Sequence, residues 1–109
     1  MTKDRTTAGM HVQQYDVVRT TDGPLAVVLQ SDLIDTVSTR VIAPLYDPQE
    51  LDPPMRYLNP EFTLTGARYV LAVQFVATLD VREFQEIVGS VARDRDRITR
   101  AIDTLLVGV

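Results

Sequence analysis

The chain has 109 residues, 45% of them hydrophobic and 24% charged, which fits one small globular domain and excludes a disordered chain. It has no cysteine, so disulfide frameworks and thiolate metal sites are excluded, and its net charge of −4 argues against binding driven by nucleic-acid phosphates. No apolar run approaches the length of a membrane span and Met1 to Gly9 contain no apolar signal core, so the expected compartment is the cytoplasm.

Residues 1–9 (MTKDRTTAG) have no periodicity and read as a loose leader, as a start site placed too early, or as a tag. Met10 stands directly before the first strand-like run, and a single domain is expected over residues 10–109. His11 to Val18, with Val12, Tyr15 and Val17 partly alternating, predicts a strand. Arg19 to Pro24 is a turn, since Asp22-Gly23 suits positive-φ geometry and Pro24 bars further pairing there. Leu25 to Leu29 is a continuous apolar run, as in a buried strand, and completes a hairpin. Ser31 to Thr36 (SDLIDT) is a loop, with Leu33 and Ile34 between two aspartates. Thr39 to Leu45 predicts a third strand, ended by Pro44 and Pro48, and Asp47 to Pro54 is a proline-rich loop.

Phe62 to Leu64 and Arg68 to Phe75 predict two more strands around the turn Thr65-Gly66. Leu79 to Gly89 is ambiguous: Asp80 with Glu83 has the form of a capping box and Gly89 of a helix stop, yet the helical spacing of Val81, Phe84, Ile87 and Val88 is partial. Ser90 to Leu106 predicts a helix capped by Ser90, with Val91, Ile98, Ile102 and Leu105 on one face, Arg95 interrupting that face, and Gly108 as terminator. Strands followed by a C-terminal helix predict a mainly β, α+β fold, a small twisted antiparallel sheet or barrel with a helix on it.

The search for catalytic groups is nearly empty. His11 is the single histidine and reads as a surface or sheet residue rather than a base. With no cysteine, no metal site is expected, and no cofactor is expected either. Ser31, Ser38 and Ser90 lie in no nucleophile motif, and the five glycines form no phosphate loop. Arg93 to Arg97 (RDRDR) is read as a solvated helix face with salt-bridged neighbours, against the alternative of a partner-binding stripe. Two features stand out by packing logic: the Leu33–Ile34 pair in a polar loop, and the apolar chain end Leu105-Leu106-Val107-Gly108-Val109.

These segments together resemble the CcdB family. Met10 to Tyr15 is similar to its first strand, Gln30 to Thr36 to its QSD-aliphatic-IDT segment, and Ile42-Ala43-Pro44-Leu45 to its I-x-P-L strand end. Arg68 to Leu71 falls on an aromatic-bearing strand, Arg97-Ile98 and Ala101-Ile102-Asp103 fit the family helix, and Val107-Gly108-Val109 resembles its terminus. The resemblance implies a barrel-like antiparallel sheet with one C-terminal helix, a segment at Leu79 to Gly89 that is not a regular helix, and a homodimer with both helix ends near its axis. It implies a non-enzymatic toxin that binds and poisons DNA gyrase through its A subunit, and that is neutralised by a CcdA-like antitoxin. Leu33, Ile34, Asp103, Leu106, Val107, Gly108 and Val109 then fall on gyrase-facing positions, and the first half of the helix and the Asp47 to Pro54 loop on surfaces for antitoxin.

This chain departs from the family's gyrase poison at Val107, where that protein has a tryptophan, and at Asp103, where it has an amide. Valine buries less area and cannot stack. Two other readings therefore stand beside the first. One is a retargeted or non-toxic dimer that keeps only an antitoxin, which in turn regulates its own operon. The other is a ribonuclease of the related MazF/Kid class, which would need acid–base groups beside a basic groove.

Overall fold

The computed structural model describes residues 11–51, 53–55 and 57–108, so the expectations for residues 1–9, Met10 and Val109 lie outside the described residues. Seven strands, β1 (Asp16–Thr20), β2 (Leu25–Val28), β3 (Thr39–Tyr46), β4 (Glu61–Leu64), β5 (Ala67–Leu71), β6 (Ala77–Asp80) and β7 (Phe84–Ser90), precede one helix, α1 (Arg95–Leu106). The sheet order is β4-β5-β3-β2-β1-β7, with β6 also on β3, and every pairing is antiparallel. The result is a mainly β, curled half-barrel with one C-terminal helix, as the strand-then-helix order predicts.

Side-chain alternation explains the continuous apolar runs. Val17, Val27, Ala43 and Leu45 face one core with Phe62, Leu71 and the helix residues Ile98 and Ala101. Val18, Ala26, Val28 and Ile42 point the other way, into a second cluster with Val12 and Phe84. A sheet covered on both faces needs apolar residues at every position of its central strands.

The predicted boundaries shift at several places, and Arg19 and Thr20, expected in the turn, pair with β7 as the end of β1. The first strand begins at Asp16, not His11. Tyr15 takes φ +71°, which breaks an extended run, and the Asp16 carboxylate accepts from Gln13 N at 2.8 Å to close the turn before it. Tyr15 still ties the fold together, donating its N–H to Val28 O at 2.6 Å and accepting from Val91 N at 2.9 Å.

Pro44 does not end β3, which continues to Tyr46. The first half of β3 pairs β6 and its last two residues pair β5. Pro44 lies between those two partners with its carbonyl accepting from Ala72 N, so its missing N–H falls at the changeover. The strand expected to reach Phe75 stops at Leu71, and Val73–Phe75 form one 3-10 turn. Asn59, 5% exposed, holds that corner by donating to Leu71 O at 3.0 Å and to Gln74 Oε1 at 2.8 Å.

The capping box at Asp80 and Glu83 is formed, but it caps a single 3-10 turn, Val81–Glu83, and Gly89 lies within β7 rather than at a helix stop. The Arg82 guanidinium holds the Asp80 carboxyl below its usual range. Ser90 closes β7 and caps no α-helix; a 3-10 turn, Ala92–Asp94, intervenes before α1 begins at Arg95. Val91 therefore packs into the core from outside the helix, and the buried helix stripe is Ile98 and Ala101. Arg95 is exposed and donates to Ala92 O, so it does not interrupt the buried face. No helix among the described residues is long and apolar enough to cross a membrane.

Candidate functional site

Leu33 is 93% exposed and Ile34 54%, in a loop whose backbone is nevertheless held at several points. Gln30 spans its base, donating from Nε2 to Ile34 O at 2.6 Å while its Oε1 accepts from Val41 N at 3.0 Å. Ser31 Oγ accepts from Leu33 N, and Ile34 N donates to Ser31 O. Asp32 Oδ1 accepts from Gln14 N at 2.8 Å, which ties the loop to the residues before β1. Arg40 closes the far side through Val37 O at 2.7 Å. The side chains of Leu33 and Ile34 are thus presented from a fixed frame, and that is what a contact surface needs.

The helix end is built differently. Val107 N and Gly108 N both donate to Asp103 O, and Gly108 takes φ +83°, so it terminates the helix as its sequence position predicts. Leu106 is 74% exposed and Val107 68%. The Asp103 carboxylate, one turn before Val107, is exposed and has no ion pair among the described residues.

A cleft of about 170 Å³ lies beside this end, walled by Leu29, Val41, Val73, Val76, Ile102, Leu105 and Leu106 and almost wholly apolar. Leu29, where the 30–38 loop leaves the sheet, donates its N–H to Val41 O in β3, so the cleft joins the loop's base to the helix end. Leu33 and Ile34 themselves are not among its walls. Phe75 and Val76, about half exposed, extend the apolar surface, and Phe75 stacks edge-on with Tyr46 at 6.3 Å. Sequence reasoning missed this part because Val73 to Phe75 read as the end of the strand expected over Arg68 to Phe75, and nothing in the spacing set Val76 apart.

A second, polar cleft of about 170 Å³ gathers His11, Gln13, Asp32, Asp35 and Arg40 around Val12. Arg40 is already committed to the carbonyls of Val37 and Thr39, and Asp32 to Gln14 N. Nearby Asp16 is nearly buried; desolvation pushes its carboxyl up, the hydrogen bond from Gln13 pulls it back, Asp32 adds to the rise and His11 opposes it. Among the described residues no cluster of three or more His, Asp or Glu is placed to hold a metal ion.

The CcdB protein family model matches residues 11–108. No curated protein matches the chain in sequence. Among solved structures, an endoribonuclease from mycobacterial species is similar with a TM-score of 0.69 and 14% identity, over 87% of this chain and 90% of that one. At that identity the likeness concerns the fold alone. The family match spans nearly the whole described chain, including the 30–36 loop and the helix end. The chain belongs to the CcdB family, the toxin side of toxin–antitoxin pairs.

Proposed function

We propose that this chain is a toxin that acts by binding rather than by catalysis, with DNA gyrase, through its A subunit, as the target. In this reading it works in the cytoplasm as a homodimer and is silenced by a CcdA-like antitoxin. The observation that carries the proposal is the pairing of exposed aliphatic side chains with a fixed backbone at Leu33–Ile34, together with exposed Leu106 and Val107 at the helix end. A surface apolar residue normally has no reason to sit in so constrained a loop; a partner supplies one. The apolar cleft beside Leu106 supports the dimer, since a second copy would cover it. Asp103, Leu106, Val107, Gly108 and Val109 would form the target-facing end.

The test is expression of the chain alone in a sensitive bacterium, beside a variant lacking Val107 to Val109. Growth arrest with gyrase-linked DNA cleavage by the full chain, lost in a truncated variant that remains a folded dimer, is expected. Full toxicity of the truncated variant would remove the tail from the site. No arrest from a soluble, dimeric full chain would favour the retargeted or non-toxic reading that Val107 suggests.

The fold likeness to an endoribonuclease supports a second reading, in which RNA is cut. The polar cleft of His11, Asp32, Asp35 and Arg40 is where acid–base groups and a cation meet, but Arg40 is spent on backbone carbonyls there. Site-specific cleavage of RNA by purified protein, lost in His11→Ala, would establish this reading over the first.

A further inference from the structure

The second core cluster, which α1 does not enter, is not filled to its end. Its bulk comes from Val18, Val28, Ile42 and Phe84. Toward the β1–β2 turn the side chains become short: Ala26 on β2, then Pro24 and Gly23. Gly23 serves a close approach there, since a Cβ on it would lie 2.8 Å from Thr20 Oγ1, the atom that donates to Pro24 O. A cleft of about 190 Å³ is left, mostly apolar, with Thr20, Ala26, Ile42 and Leu79 among its walls. Ile42 lines this cleft and Val41 lines the one at the helix end. Successive strand residues point to opposite faces, so the two clefts lie on opposite sides of the sheet.

Two exposed carboxylates, Asp22 and Glu83, also line the cleft, and among the described residues no cation does. Among the described residues the Asp22 side chain has no hydrogen bond or ion pair. Glu83 makes no ion pair there either, and its Oε2 accepts from Asp80 N at a long 3.4 Å. Arg82, its neighbour in the chain, is committed to the Asp80 carboxylate through Nε and Nη2, both at 3.0 Å. The cleft thus joins an apolar floor to two carboxylates that lack a counter-charge.

We propose that this cleft binds a small aliphatic amine as its ammonium ion, with the hydrocarbon body on Ala26, Ile42 and Leu79 and the charged end at Asp22 and Glu83. Burial against the apolar walls holds the body. Charge-assisted hydrogen bonds to the carboxylates hold the ammonium. A neutral ligand of the same length lacks those bonds, and an anionic one is repelled, so the rim selects by charge. The site shares no residue with the Leu33–Ile34 loop or the helix end, and it stands whether or not the chain is a toxin.

The probes are n-pentylammonium, 1-pentanol and pentanoate, each titrated into the isotope-labelled full chain at neutral pH and followed by amide shifts in two-dimensional NMR. n-Pentylammonium is expected to shift the amides of Thr20, Thr21, Ala26 and Ile42 saturably, about tenfold more tightly than 1-pentanol, and more weakly as salt is added. Pentanoate is expected to give no saturable shift. Asp22→Asn/Glu83→Gln keeps an oxygen to accept from Asp80 N. It is expected to lose about tenfold for the ammonium and to bind 1-pentanol as before, with a dispersed spectrum showing that it folds. Equal affinity for ammonium and alcohol in the unaltered chain overturns the proposal, and that comparison needs no variant. So do shifts that map to Leu29, Val73 and Ile102, or the absence of any saturable shift. A fourth probe, Nα-acetyl-lysine methylamide, separates a free amine from a lysine side chain. Tighter binding of it than of n-pentylammonium overturns the choice of a small amine in favour of a partner protein.

Discussion

The 30–38 loop and the end of α1 both hold aliphatic side chains in solvent, and they do so by opposite means. The loop is fixed locally by polar side chains, Gln30, Ser31, Asp32 and Arg40, each bonded to backbone. At the helix end Val107 and Gly108 are held by backbone bonds to Asp103 O, and the position of that end is inherited from Ile98 and Ala101, which are buried one to two turns earlier. Ordering a loop residue costs about 1–2 kcal/mol. In the loop that cost is met before any partner arrives. At the helix end, order depends on the core.

The largest test of this difference is Ile98→Ala. Ile98 is fully buried between helix and sheet, so the loss should be about 2–5 kcal/mol by urea denaturation. Native-state hydrogen exchange should then show α1 amides losing protection first, with the N–H of Val41, bonded to Gln30, protected longer. Equal loss at both would mean that the loop also depends on the helix.

Gln30→Ala attacks the other side. It removes the donor to Ile34 O and leaves Val41 N without its acceptor, at about 1–2 kcal/mol. Limited proteolysis should open the chain between Ser31 and Ser38 while exchange in α1 stays unchanged. A loop that resists protease after this change would mean that Asp32 and Arg40 suffice.

Much of this was legible in the sequence. The loop at 31–36 and the stop at Gly108 each lie where expected, and a turn does form at Asp22-Gly23, although neither residue there takes the positive φ the sequence suggested; among the described residues the hairpin turn with positive φ is at Thr65-Gly66. Exposure of Leu33 and Ile34 was also foreseeable, because apolar residues between loop aspartates have no core partner nearby, whereas Leu106 and Val107 fitted core packing and an interface equally well from sequence. What was not legible depends on distant partners. Tyr15 leaves the extended region to bond both Val28 and Val91, and Pro44 is tolerated because β3 changes neighbours there. The apolar cleft needs Val73 and Val76 brought to Leu106 by the sheet's curl, and no spacing in the chain encodes that. Arg97 reads as one charge in a run until β4 places Phe62 beneath it.

Leu33→Asp and Val107→Asp should change stability by less than about 0.5 kcal/mol, because both side chains are mostly in solvent. Each should abolish growth inhibition if the two regions meet one target. Retained inhibition in one of them alone would divide the site and leave the other region with a purely structural or dimeric role.

The smallest expected effect lies beneath the loop, at Asp16. Its folded carboxyl is pushed above the usual range, chiefly by burial and further by Asp32, the residue that anchors the loop. Between the ordinary value of 3.8 and the raised one, the folded chain keeps a proton that the unfolded chain has released. Stability contributed by this site is therefore greatest at acid pH and falls as pH rises through that window. Above it, ionised Asp16 is a net cost. Asp16→Asn keeps an oxygen to accept from Gln13 N and has no proton to lose. Urea midpoints measured from about pH 4 to pH 7 should fall less steeply in the variant than in the parent, with the variant at least as stable at neutral pH. A variant that is weaker at neutral pH would show that the charged carboxylate, through His11 and Gln13, holds the turn before β1 and with it the anchor of the loop.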